Sequence, residues 1–209
     1  MKNNFFILFI LICIFSCKKE EERTGCLYKK KALVEAYVYP KSSTLECSFD
    51  YERNFVISIS IGGDGYFRDP PRSSEMYWEY AYQYGDTAYN RCSWVIPVYC
   101  CTKLSLIDIT CDKDIDENHK ASVSLGDITE IIVTSYREYI QSGYVSYNTR
   151  IQKNLSEMSG DDYLLLSADG SMGLRIKDSK NLPKGEYKFF ITFVTEENDI
   201  VTNDITIVN

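Results

Sequence analysis

The chain has 209 residues and a formal charge of −7, and 44% of its residues are hydrophobic, 25% charged and 14% aromatic. This composition is typical of a globular protein, because disordered chains have few aromatic residues and a high net charge. An acidic chain lacks the excess of basic residues that neutralises phosphates, so nucleic acid is not an expected partner.

The N-terminus has the pattern of a secretory signal peptide. Lys2 supplies a positive charge, and an uninterrupted apolar run covers residues 5–15 and precedes Ser16 and Cys17. A membrane span needs about 20 apolar residues, so this shorter run predicts a cleaved signal over residues 1–16 and not a membrane anchor.

The end of this run resembles a lipobox, the site at which signal peptidase II cuts and the new N-terminal cysteine is acylated. Ser16 is the small residue expected before Cys17, whereas Phe15 departs from the small residue that is usual one place earlier. Looser lipoboxes of this kind are similar to those of lipoproteins of the Bacteroidota. The resemblance implies acyl chains on Cys17 that hold the protein on a lipid bilayer, since each buried CH₂ contributes about 0.8 kcal/mol.

The residues after Cys17 extend the same resemblance. Lys19, Glu20 and Glu21 are similar to the surface-export signal of that group, in which a lysine and acidic residues follow the lipidated cysteine. A merely solvated segment over residues 18–23, without a signal function, is the alternative. In either case residues 17–25 form the acylated tether that precedes the folded part. The resemblance implies a lipid-anchored protein of the outer membrane that is exposed on the cell surface, with a periplasm-facing location as the alternative.

Strand patterns dominate the rest of the chain. Residues 32–39 predict a strand that ends at Pro40, and residues 55–61 alternate apolar and polar side chains, as expected of a half-buried strand. Gly62-Gly63-Asp64-Gly65 predicts a turn. Residues 66–67 would then return as a hairpin partner.

A dense block of aromatic residues follows. It comprises Tyr66, Phe67, Tyr77, Trp78, Tyr80, Tyr82, Tyr84, Tyr89, Trp94 and Tyr99. If residues 77–84 are extended, four rings share one face and form a platform that could stack on sugar rings or on partner side chains. These four are Trp78, Tyr80, Tyr82 and Tyr84. If a helix runs between Ser74 and Gly85, the rings scatter around it, and ordinary core packing is the alternative use of the block.

Thr87 is a candidate modification site. It lies in Asp86-Thr87-Ala88, which resembles the O-glycosylation acceptor motif of the Bacteroidota, an aspartate followed by serine or threonine and then a small or apolar residue. The resemblance implies a glycan on the Thr87 hydroxyl.

Loss of the signal and lipidation of Cys17 leave six cysteines for the folded part. They are Cys26, Cys47, Cys92, Cys100, Cys101 and Cys111. An even number in an exported chain permits disulfides, and unpaired structural thiols are the alternative. Their spacings contain no C-x-x-C pair, so a zinc site is not expected. In an extended chain the adjacent Cys100 and Cys101 point to opposite faces.

An acidic segment imitates part of a calcium loop. Asp112, Asp114 and Asp116 alternate as the first three ligands of such a loop do, but Glu117 stands where glycine is needed and Val123 where the loop needs a bidentate glutamate. We therefore expect no EF-hand and no metal, with an irregular calcium site as the alternative.

His119 is the only histidine, so any mechanism of the serine or cysteine triad type would need it. It lies in the polar segment 114–120, which predicts an exposed loop and a satisfied or solvated side chain. Carboxylate-only chemistry, as in glycoside hydrolases, needs no histidine. No pair of acidic residues stands out for that chemistry, so we expect no catalytic residue.

The second half of the chain continues the strand pattern. Residues 103–110 predict a strand with a phase slip typical of a β-bulge. Residues 128–141 favour a strand over a helix because they contain three consecutive β-branched residues. Further strands, separated by turn residues, are predicted at 162–167, 173–177, 187–195 and 200–208.

Short strands at intervals of about ten residues predict an all-β fold, an antiparallel immunoglobulin-like sandwich. The best boundary lies near Cys100, between an N-terminal β region with the aromatic block (26–100) and a C-terminal β-sandwich region (101–209).

A lipobox followed by such strands resembles surface-exposed lipoproteins of the Bacteroidota. We expect a membrane-anchored binding or assembly module, without enzymatic activity or a cofactor, that docks to a glycan or an outer-membrane protein. A carboxylate-dependent extracytoplasmic hydrolase is the alternative.

Overall fold

Two β-sheets account for most of the fold. The computed structural model describes residues 31–70, 72–90, 98–146 and 149–209, and all of these except Asn90 belong to one compact unit. The strands of the described residues are β1 (Ala36–Phe49), β2 (Phe55–Phe67), β3 (Tyr99–Cys101), β4 (Leu104–Cys111), β5 (Thr129–Thr134), β6 (Arg150–Asn154), β7 (Met172–Ile176), β8 (Glu186–Thr195) and β9 (Ile200–Val208). The α-helices of this part are α1 (Glu75–Tyr84) and α2 (Arg137–Gln141).

The strands pair mainly antiparallel. The larger sheet has the order β3-β1-β2-β7-β5-β6, and the smaller sheet has the order β4-β8-β9. Neighbouring strands run antiparallel, except that β1 and β3 are parallel. Successive side chains of a strand point to opposite faces, so each sheet can turn one apolar face towards the other sheet. The two buried faces meet, and the fold is an all-β sandwich, as the sequence predicts.

The main core lies between the two sheets. Ile57 and Ile59 of β2 pack there with Ile109 of β4 and with Ile191 and Phe193 of β8. On these strands every second side chain is buried. Burial of one such side chain contributes about 1.5–3 kcal/mol, so this core is the main source of stability.

A second apolar cluster lies on the other face of the larger sheet. Tyr37 of β1 and Cys100 of β3 point into it, together with Tyr77 of α1 and Ile140 of α2. Cys101 belongs to the main core instead. The prediction that the adjacent cysteines point to opposite faces is confirmed.

Two predictions for the first hairpin are wrong. β1 begins at Ala36 and continues past Pro40, where its register with β2 shifts before Ser42. Proline is tolerated in a strand at such a bulge. β2 continues through residues 62–65 as far as Phe67. The glycine run therefore makes no turn, and residues 66–67 are no separate strand.

Most of the later strands are confirmed. β7, β8 and β9 lie where the pattern predicts, and β4 has the predicted slip, between Leu104 and Leu106. Of the segment 128–141, for which the sequence favours a strand over a helix, only the first part is a strand, β5, because α2 covers Arg137–Gln141. The strand predicted at 162–167 is wrong, because a 3₁₀ turn (Gly160–Tyr163) occupies its first part. The carboxylate of Asp162 in this turn accepts a hydrogen bond from the N–H of Ser159 at 3.0 Å, and such local hydrogen bonds compete with strand pairing.

The predicted boundary near Cys100 falls within β3. The larger sheet joins β1 and β2, from residues 26–100, to β5, β6 and β7, from residues 101–209. The pairing of β2 with β7 therefore connects the two predicted regions.

Candidate functional site

Part of the aromatic block folds as a helix. α1 follows Ser74 and ends at Gly85, whose φ of 76° is left-handed and whose N–H donates to the carbonyl oxygens of Ala81 and Tyr82. The extended arrangement of residues 77–84 is therefore wrong, and the helical alternative is correct. Aromatic residues favour strands, but a left-handed glycine is a strong helix end.

The inner side of α1 packs on the larger sheet. Tyr77 is fully buried and Tyr80 nearly so, and their ring centroids lie 5.2 and 5.6 Å from that of Tyr37. Tyr84 stacks on Tyr80 with the centroids 6.2 Å apart, and burial raises the pKa of Tyr84 to about 12. The Tyr77 hydroxyl donates to the carbonyl oxygen of Val34 at 2.6 Å. These contacts fix α1 on the sheet.

The outer side of α1 presents two further rings. Trp78 and Tyr82 have centroids 6.4 Å apart and planes tilted by 43°, and Tyr82 is 71% exposed. Trp78 also meets Tyr77 edge-on at 5.1 Å, which restricts its orientation. Glu75 and Glu79 are exposed and share this side, because residues three, four and seven apart lie on one helix face. We call Trp78, Tyr82, Glu75 and Glu79 the α1 patch.

The predicted four-ring platform is thus divided in two. The structure brings Trp78 and Tyr82 together on the outside, and it packs Tyr80 and Tyr84 against the sheet. An exposed tyrosine ring and a half-buried tryptophan ring beside two carboxylates can stack on an apolar ring and accept hydrogen bonds from hydroxyl groups.

A buried carboxylate ties α1 to the chain that precedes β1. Asp86 is fully buried and accepts hydrogen bonds from the N–H groups of Leu33 and Val34, both at 2.8 Å. The hydroxyls of Tyr144 and Tyr37 donate to it at 2.8 and 3.3 Å. Burial raises the pKa of Asp86, and these donors oppose the rise. Sequence reasoning missed this role, because the donors lie 49 to 58 residues away.

Thr87 follows this buried aspartate and is half-buried. The fold therefore encloses the first residue of the motif that resembles a glycosylation acceptor. Glycosylation of Thr87 stays a prediction.

His119 is buried, so the expectation of an exposed loop side chain is wrong. Both ring nitrogens have hydrogen-bond partners, which is the satisfied side chain that the sequence left as one of two options. The side chain is 10% exposed, with Nδ1 2.7 Å from Asp116 and Nε2 3.0 Å from Asp127. A neutral imidazole donates from one nitrogen only, so two hydrogen bonds to carboxylates require the protonated ring. The hydrogen bond to Asp116, with a further contribution from Asp127, raises the pKa of His119.

The three alternating aspartates have separate partners. Asp112 accepts a hydrogen bond from the N–H of Lys188 at 2.9 Å, Asp114 pairs with Lys120 at 3.0 Å, and Asp116 pairs with the histidine. In the part of the chain that the structure describes, no group of three or more His, Cys, Asp or Glu side chains is placed to hold a metal.

One tyrosine brings two carboxylates close together. The Tyr39 hydroxyl lies 2.6 Å from Asp199 and 3.3 Å from Glu197, both exposed between β8 and β9. The hydrogen bond from Lys103 lowers the pKa of Glu197. A glycosidase needs one carboxyl group with a raised pKa as its acid, and the lowered pKa of Glu197 does not suit that role.

The described cysteines are free thiols. Cys100, Cys101 and Cys111 are buried and Cys47 is half-buried. Burial raises the pKa of each of these thiols. Of the two alternatives, structural thiols are therefore what the structure has at these four positions.

Several predicted residues lie outside the described part of the chain. They are Cys17, Lys19, Glu20, Glu21, Cys26 and Cys92. No helix among the described residues is long and apolar enough to cross a membrane. Comparisons with protein-family models, with curated proteins and with solved structures found no match to this chain.

Proposed function

We propose that this chain is a lipid-anchored protein of the outer membrane, displayed on the cell surface, whose β-sandwich binds a glycan without catalysing a reaction. The observation that carries the binding function is the α1 patch. There the exposed Tyr82 lies beside the half-buried Trp78 on the outer side of α1, whereas Tyr77, Tyr80 and Tyr84 pack on the sheet. Aromatic rings that share the outer side of a helix are typical of interaction sites.

The chemistry of the α1 patch favours a glycan. A sugar ring combines an apolar face, which stacks on aromatic side chains, with hydroxyl groups around its edge. Glu75 and Glu79 lie beside the two rings and can accept hydrogen bonds from those hydroxyls. Two carboxylates in a chain of formal charge −7 repel acidic polymers. We therefore propose a neutral or amino-sugar glycan.

Binding to an array of neutral, amino and acidic glycans tests this function. The double variant Trp78→Ala/Tyr82→Ala should lose at least about tenfold in affinity, because aromatic anchors carry most of the binding energy of such sites. Tyr51→Ala is the matched control, since it removes an 87% exposed tyrosine from the turn between β1 and β2. Equal binding by all three proteins would overturn the proposal. Shortening of the bound glycan during incubation would support the hydrolase alternative instead.

Mass spectrometry of the native protein tests the anchor. The wild type should carry acyl mass on Cys17, remain with the membrane fraction and be cleaved when whole cells are treated with protease. Cys17→Ala should lose the acyl mass and the membrane retention, because acyl chains supply the free energy of anchoring. An unchanged mass and location in the variant would show that Cys17 is not the lipidation site.

A further inference from the structure

A slot between two aromatic rings lies on the core-side face of the larger sheet, beyond the main core. Tyr99 of β3, Ala36 of β1 and Phe67 of β2 stand side by side, because Ala36 pairs with both of the others. Adjacent strands are about 4.8 Å apart, so the two ring-bearing Cα atoms are about 10 Å apart with a small side chain between them. We call this feature the aromatic slot.

The floor of the aromatic slot is apolar and open. A cavity of about 280 Å³ is lined by Ala36, Val38, Ile61 and Gly65, with Phe67 and Tyr99 at its sides. A Cβ atom on Gly65 would lie 2.6 Å from the Phe67 ring, so glycine lets that ring lie close to the sheet. Phe67 and Tyr99 are half-buried, and their rings are therefore accessible to a small molecule.

The rim of the aromatic slot carries a positive charge. The exposed guanidinium of Arg72 lies 5.3 Å from the centroid of the Phe67 ring, and among the described residues no carboxylate forms an ion pair with it. Nearby carboxylates have other partners, since Asp69 pairs with Arg68 at 2.7 Å and Asp64 pairs with Lys41 at 2.5 Å. An arginine that lies beside an apolar cavity and has no ion pair with any described residue favours an anionic ligand.

We propose that the aromatic slot binds a small aromatic carboxylate, with its ring between Tyr99 and Phe67 and its carboxylate on Arg72. The side chains of Ala36, Val38 and Ile61 on the floor have no hydrogen-bonding groups, which favours an aromatic ring over a sugar. This site is separate from the α1 patch. Tyr37 and Tyr66, the next residues along β1 and β2, point to the opposite face and pack on α1.

Titration of the ¹⁵N-labelled protein with 3-phenylpropionate tests the proposal. Saturable shifts are expected at the amides of Gly63, Gly65 and Ala36. The uncharged 3-phenylpropan-1-ol should bind about tenfold more weakly, because it cannot make a charge-assisted contact with Arg72. Arg72→Gln should reduce the affinity for the acid by a similar factor and leave that for the alcohol unchanged.

The matched control is Arg150→Gln, an arginine on the edge strand β6, which should bind the acid as the wild type does. Equal affinity of the wild type for the acid and the alcohol would overturn the role of Arg72. The absence of saturable shifts at millimolar 3-phenylpropionate would overturn the site itself. Tighter binding of glucuronate than of 3-phenylpropionate would overturn the aromatic class of ligand. These outcomes do not depend on the α1 patch, since Trp78→Ala/Tyr82→Ala should leave the titration unchanged.

Discussion

Asp86 is the residue on which the attachment of α1 most depends. Its two oxygens accept four hydrogen bonds from Leu33, Val34, Tyr37 and Tyr144. Asp86→Asn replaces one accepting oxygen by an NH₂ group that faces donors. We expect a loss of about 2–4 kcal/mol in the free energy of unfolding, measured by urea denaturation, because buried donors then have no acceptor.

An exposed carboxylate provides the comparison for Asp86. Asp161 is exposed and pairs with Arg137 at 2.9 Å. Asp161→Asn should change the free energy of unfolding by no more than about 0.5 kcal/mol, as is usual for surface ion pairs. If the two variants were equally stable, the hydrogen bonds of Asp86 would contribute no more than an exposed ion pair does.

His119 makes the stability of the loop between β4 and β5 depend on pH. Its folded pKa is raised by hydrogen bonds to Asp116 and Asp127, so its contribution is complete below the unfolded value of about 6.5 and is lost as pH rises through the folded pKa. The same bonds lower the pKa of both aspartates, so their contribution is lost on acidification below about pH 4. The stabilisation should be greatest between these limits.

His119→Gln tests this dependence. The difference in free energy of unfolding between the wild type and the variant should be largest near pH 6 and should shrink steadily towards pH 9. His119 is the only histidine of the chain, so no other imidazole can produce that trend. A difference that stays constant across this range would contradict the double pairing.

Gly85 ends α1 in a backbone conformation that favours glycine. Gly85 has a φ of 76°, and a Cβ atom there would meet nothing within 4 Å. Gly85→Ala should therefore cost about 1 kcal/mol from backbone strain alone. Gly185 also has open space but no left-handed φ, so Gly185→Ala should be neutral or stabilising by up to about 1 kcal/mol. Thermal melts of the two variants measure the contrast, and equal midpoints would exclude strain at the helix end.

Close approach of two strands explains why the glycine run lies inside β2. A Cβ atom on Gly63 would lie 1.8 Å from the carbonyl oxygen of Tyr39. Gly63→Ala must move the backbone of β1 or β2, and we expect a loss of about 2–3 kcal/mol. Gly173 of β7 is the control, because its nearest neighbour would be a Val56 methyl group at 3.7 Å. If Gly63→Ala lowered the free energy of unfolding no more than Gly173→Ala does, the backbone of β1 would be able to move aside without loss of stability.

These elements show where sequence patterns suffice. β8 and β9 are predictable because alternating side chains and flanking turns agree. The sequence does not settle whether residues 75–84 form a helix or a strand, since tyrosines favour a strand. In the structure the left-handed Gly85 ends a helix there. Glycines in a strand and in a turn look alike in sequence, so the course of β2 depends on the position of Tyr39 in another strand. The division of the α1 rings into an inner and an outer set likewise follows from packing against β1 and β2.

At the scale of the whole molecule, two apolar clusters share the same strands. β1 contributes Tyr37 to the second cluster and Leu45 to the main core, and β2 contributes Tyr66 and Ile59 in the same way. Opening of either cluster therefore removes packing from strands that also hold the other cluster. A single cooperative transition is the expected consequence, as in other domains of this size.

The adjacent thiols of β3 report on both clusters at once, because Cys100 points into the second cluster and Cys101 into the main core. Pulsed alkylation along a urea gradient should give a chymotryptic peptide, cut after Tyr99 and Leu104, that carries either no label or two. Both thiols are buried and have raised pKa values, so labelling requires unfolding. Cys47, which is half-buried, should react before the transition. A populated singly labelled peptide would mean that the clusters open independently and that the shared strands do not couple them.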